Sequence, residues 1–116
     1  MPQSTISVNI ELDENKIPTS INWNASDSAA QHNQPSKAMM LAFWDAADKS
    51  ALRIDLWTKD MMVNEMADFY YQTLMGMADA YDRATHQHEL SHDLKHFAHD
   101  FYQKFKAAEL KENKLI

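Results

Sequence analysis

The chain has 116 residues, 45% hydrophobic and 24% charged, a balance that suits one globular domain with its own core rather than a disordered segment. A single glycine, Gly76, leaves no phosphate-cradling glycine loop, and the lack of cysteine excludes disulfides, thiolate catalysis and zinc-thiolate sites. The net charge of -6, from 11 Lys+Arg against 17 Asp+Glu, argues against nucleic acid or an anionic membrane surface as partner, since either needs clustered positive charge.

The first residues, Met1 to Thr5, carry no basic and apolar leader, and no run approaches the roughly 20 apolar residues that span a bilayer. A soluble, cytoplasmic chain without membrane insertion is therefore expected. Ile6, Val8, Ile10 and Leu12 alternate with Ser7, Asn9 and Glu11, which predicts a strand over about 5–13. The turn chemistry of Asp13, Asn15 and Lys16, with Pro18 limiting the start of the next strand, makes this the first arm of a hairpin. The second arm is expected at about 20–25, with Ile21 and Trp23 inward and Asn22 and Asn24 outward. Residues 26–34 are small and polar and closed by Pro35, the composition of a mobile loop.

Residues 37–45 are apolar at nearly every position and are taken as a strand, because Ala46 to Lys49 makes a hairpin loop into the next segment. That segment, 51–58, alternates: Leu52, Ile54 and Leu56 fall on a core-facing side, with Ala51, Arg53, Asp55 and Trp57 on the other. After Asp60, a plausible N-cap, the period becomes helical. Met62, Met66, Phe69, Tyr70, Thr73, Met77 and Tyr81 form one face of a helix over about 61–83. The methionines on that face read as adaptable core. A second helix is expected at about 88–109, striped by Leu90, Leu94, Phe97, Ala98, Phe101 and Phe105, with a fraying tail at 111–116. These elements give an α+β fold class: a four-stranded antiparallel meander sheet with two C-terminal antiparallel helices packed on one face.

Particular residues within this order resemble the gliding-motility GldC family of Bacteroidetes. They are chiefly Leu52-Arg53-Ile54-Asp55-Leu56-Trp57-Thr58-Lys59-Asp60-Met61, supported by Ile21-Asn22-Trp23-Asn24-Ala25-Ser26-Asp27, by Lys37-Ala38-Met39-Met40-Leu41 and by Trp44-Asp45. The resemblance implies a small cytoplasmic accessory protein of gliding motility with no enzymatic activity and no cofactor. It transfers no active site.

Three constellations compete with that reading. His86, His88, His92, His96 and His99 lie at spacings that could place imidazoles on adjacent turns, as a metal- or pH-responsive protein would need. The apolar stripe lies nearly opposite, so a solvated histidine face is the plainer reading and no metal site is assigned. His88, near the start of its helix, would as an imidazolium oppose the helix dipole, so acid is expected to loosen that end. Glu11, Asp13 and Glu14, or Asp45 with Asp55, could be offered as the acid and base of a small enzyme, but carboxylates at turns and strand ends are usually solvated or capping. No serine sits in a nucleophile elbow.

The candidate functional surface is the outward side of the sheet. Because residues 37–45 are apolar at both parities, one set must face outward. Met40 and Trp44 are expected there beside Arg53, Asp55 and Trp57, residue types that anchor protein interfaces. The expected partner is another protein or, as a homodimer, a second copy of the chain.

Overall fold

A computed structural model describes residues 2–27 and 32–114. The elements run β1 (Ile6–Leu12), β2 (Pro18–Ala25), β3 (Gln34–Ser36), β4 (Ala38–Trp44), β5 (Ala51–Trp57), α1 (Val63–Thr85) and α2 (His88–Lys114). The α+β class and the antiparallel pairing are as expected. The chain divides into two compact units, a strand unit up to Met61 and a helical unit from Met62.

In the strand unit the expected four-strand meander is not one ladder. Five strands form two sheets, β1-β2-β3 and β4-β5, each paired in chain order and antiparallel. The added strand, β3, falls where the polar loop was expected to close. Pro35 is tolerated in it because β3 is an edge and because the register sets Pro35 against Asn22. The backbone groups of Asn22 already point the other way, toward Asn9 of β1, so the missing N–H breaks no bond. Lys37 alone separates β3 from β4. Of the segment expected to be mobile, 28–31 lie outside the described residues, while Asn33 accepts a hydrogen bond from the Asn24 amide at 3.0 Å.

Both hairpins use one device. Asp13 Oδ1 accepts from the N–H groups of Asn15 (2.8 Å) and Ile17 (3.0 Å), and Lys16 takes a left-handed φ of 63°. Asp45 Oδ2 accepts from Ala47 (3.1 Å) and Asp48 (2.7 Å), with Lys49 at φ 51°. An aspartate that replaces water on turn N–H groups supports the strained lysine that closes each loop, a position glycine or asparagine fills more easily.

The core of the strand unit is narrower than its pattern predicts. Ile21 is 1% exposed, but Trp23, expected inward with it, remains exposed. Leu52 and Ile54, assigned to a core-facing side, are 56% and 52% exposed. The reason is local: β4 and β5 pack chiefly on each other, and a two-stranded ladder covers neither of its faces.

The helical unit is an antiparallel pair joined by His86 and Gln87, with His86 as a left-handed C-cap whose N–H donates to the Asp82 carbonyl at 2.8 Å. The N-cap of α1 is Met62 rather than Asp60, with its N–H held by Glu65 Oε1 at 3.1 Å. The second helix runs through Lys111 to Lys114, where a frayed tail was expected; residues 115 and 116 lie outside the described residues. The seam is also displaced. The buried positions are Ala67, Ala78, Ser91 and Ala98, and the Ser91 hydroxyl donates to the Ala78 carbonyl at 2.7 Å. Met62 and Met77, expected in the core, are exposed, as are Tyr70, Tyr81, Leu90 and Phe97 of the expected apolar faces. Two helices approach closest where side chains are smallest, so Ala98, already within the expected stripe, and Ala67, Ala78 and Ser91, each one residue on from a bulky member of it, form the contact. Lys95 and Asp79 close it with a 2.7 Å ion pair that raises the lysine pKa and lowers that of the aspartate through their mutual hydrogen bond. Among the described residues no helix is long and apolar enough to cross a membrane.

Candidate functional site

The β4–β5 register places the candidate residues together. Met40 is opposite Asp55, Ala42 opposite Arg53, Trp44 opposite Ala51 and Ala38 opposite Trp57. Side chains alternate along a strand, so all of these share one face. Trp44 is 69% and Trp57 57% exposed, and Met40 is half-buried. Between the two tryptophans, Arg53 and Asp55 form a fork: Nε to Oδ2 at 3.1 Å and Nη2 to Oδ1 at 2.8 Å. Two neighbours on one face of a strand are far enough apart for a guanidinium to reach along it, which is why the pair forms within β5. The result is an exposed face with a charge-balanced centre and an indole at either end.

One end of β5 adds a feature that the residue pattern did not disclose. The β1–β2 turn meets the segment after β5 through an ion pair between Lys59 Nζ and Asp13 Oδ2. Lys59 as donor, then the Ile17 and Asn15 N–H groups, hold the Asp13 carboxyl below its ordinary range. Between these segments lies a cleft of about 460 Å³ with Ile17, Pro18, Leu56, Trp57 and Met61 as apolar walls and Lys16 also in its lining. Thr58 braces it from below. This residue is buried, its N–H donates to the Lys37 carbonyl at 2.7 Å, and its hydroxyl lies 2.5 Å from Asp60 Oδ1 and 3.0 Å from the same carbonyl. The hydroxyl's hydrogen bond is the main cause of a lowered Asp60 pKa, so Asp60 serves this turn rather than the helix cap. No spacing in the sequence relates Asp13 to Lys59; only the turn chemistry at Asp13 hinted that its side chain was committed.

The competing constellations resolve into local structure. Asp45 is used by its own turn and Asp55 by Arg53. His88 Nδ1 lies 2.5 Å from Asp82 Oδ1, and His99 Nδ1 lies 3.1 Å from the Tyr71 hydroxyl, whose ring stacks on Tyr102 at 4.7 Å. His88 therefore sits beside a carboxylate at the start of its helix. Among the described residues no three histidine or acidic side chains converge as metal ligands.

The model of the family described as "Gliding motility-associated protein GldC-like" matches residues 18–107, more than three quarters of the chain. No curated protein and no solved structure matches it. The matched span includes β2 to β5, both tryptophans of the exposed face and the Arg53–Asp55 fork. The chain belongs to the GldC-like family of gliding motility-associated proteins.

Proposed function

We propose that this protein is a non-enzymatic, cytoplasmic accessory of gliding motility that acts by binding another protein through the β4–β5 face of Met40, Trp44, Arg53, Asp55 and Trp57. The observation that carries the reading is the exposure of Trp44 and Trp57 on the face that holds the Arg53–Asp55 fork. Tryptophan and arginine are the residues most enriched among energetic anchors of interfaces, and an internally neutralised arginine is less costly to desolvate than a free one. Membership of a motility family gives the cellular context.

The test changes Trp57→Ala and Arg53→Ala separately and measures melting temperature together with recovery of co-purifying proteins from gliding cells. Since each residue is exposed, the melting point should move by no more than about 2 °C. Specific partners should be lost from both variants, as truncation of an interface anchor costs about 2 kcal/mol or more. Unchanged recovery from both variants, or a large fall in melting temperature for Trp57→Ala, overturns the proposal.

A further inference from the structure

We infer that the cleft between the β1–β2 turn and the end of β5 is a pocket for a protein segment that presents an apolar side chain next to an aspartate or glutamate carboxylate. The inference rests on the protein-binding reading, because Trp57 and Asp55 belong to both the exposed face and the cleft lining. It adds the chemistry of the partner.

Shape and polarity define half of that chemistry. A volume of about 460 Å³ lies within the range of ligand pockets and far exceeds one side chain, and its walls are Ile17, Pro18, Leu56, Trp57 and Met61. A leucine or an aromatic ring entering it would leave water on several sides at once. Charge defines the other half. Of the three charged residues that line the cleft, two are paired within the strand unit, Lys59 with Asp13 and Asp55 with Arg53, while Lys16 has no ion pair among the described residues. Glu14, two residues earlier in the turn, does not line the cleft. On a chain of net charge -6 this lining carries a local positive excess of one. An acid beside the entering apolar residue complements it, whereas a base would meet an uncompensated ammonium.

The backbone supports this use of Lys16. Its φ of 63° costs an ordinary residue about 1 kcal/mol, and glycine would remove the strain. Holding a lysine there trades local stability for a cationic residue in the lining of the cleft. The same fact supplies a clean variant, since Lys16→Gly deletes the ammonium at a position where glycine fits the turn better than the native residue.

The experiment titrates two blocked peptides, identical except for glutamate or glutamine beside a leucine, into isotopically labelled protein and follows the amides of Lys16 and Ile17 and the indole of Trp57. The glutamate peptide should bind about threefold more tightly, the scale of one solvent-accessible ion pair. In Lys16→Gly the two peptides should bind equally, at the affinity of the glutamine peptide for the native protein. Failure of both peptides to shift these resonances overturns the inference, as does equal binding to native protein or a glutamate preference that survives Lys16→Gly. A negative result here leaves the partner-recovery experiment on Trp57 and Arg53 unaffected, so the pocket and the face fail separately.

Discussion

The strand unit and the helical unit hold themselves together in opposite ways. In the strands, polar side chains fix the geometry: aspartates build the β1–β2 and β4–β5 turns, Thr58 ties the segment after β5 to Lys37, and Asp13 joins Lys59, while among the described large apolar residues Ile21 alone is fully buried. In the helices, the absence of side chain fixes it, with alanines at 67, 78 and 98 letting the backbones close and Ser91 bonding across. The strand unit therefore has side chains left over for a surface. Its exposed tryptophans and its cleft exist because turns and polar clamps, rather than a wide apolar layer, hold the strands in place.

The largest expected effect tests the exception in the strands. Truncating Ile21→Ala removes the one large side chain they bury completely and should cost about 3 kcal/mol. All three tryptophans, Trp23, Trp44 and Trp57, lie in the strand unit, so urea unfolding followed by their fluorescence reports on it directly. A loss under about 1 kcal/mol, on the order of a surface change, would mean that the polar clamps suffice by themselves.

The mirror experiment enlarges the helix seam. Ala78→Leu inserts bulk where Ala78 is fully buried and should cost about 2 kcal/mol, read from helical ellipticity during unfolding. A neutral result would show that the helices can part at that point and that the alanine contact does not set their spacing.

The smallest effect is titratable. Asp13 has a folded pKa below its ordinary value of 3.8, chiefly through Lys59, so its contribution is present above that value and is lost as pH falls through the lower folded one. Fluorescence-detected unfolding of the native strand unit should weaken over that acid window. In Asp13→Asn, part of this dependence should vanish. Identical acid profiles would place the clamp's stabilisation elsewhere.

Much of this was legible in the residues. Strict alternation in Ile6 to Leu12 and in Ala51 to Trp57 specified strands because a period of two has no helical counterpart, and the structure places their ends within a residue of expectation. The shared face of Met40, Trp44, Arg53, Asp55 and Trp57 followed from parity plus hairpin register, both local properties. The His88–Asp82 pair did not, since its partners meet only because the helices turn back on each other at His86 and Gln87.

By itself, then, the sequence determined most of the elements, their antiparallel order, the residues of the exposed face and the likeness to a motility family, since each depends on neighbours a few positions apart. Only the tertiary structure decided which apolar residues are covered, that Pro35 joins a strand, that the helices meet along alanines, and that Asp13 reaches Lys59 to shape a cleft. Those outcomes depend on contacts between distant segments, where size, register and charge are chosen against a partner that no local pattern contains.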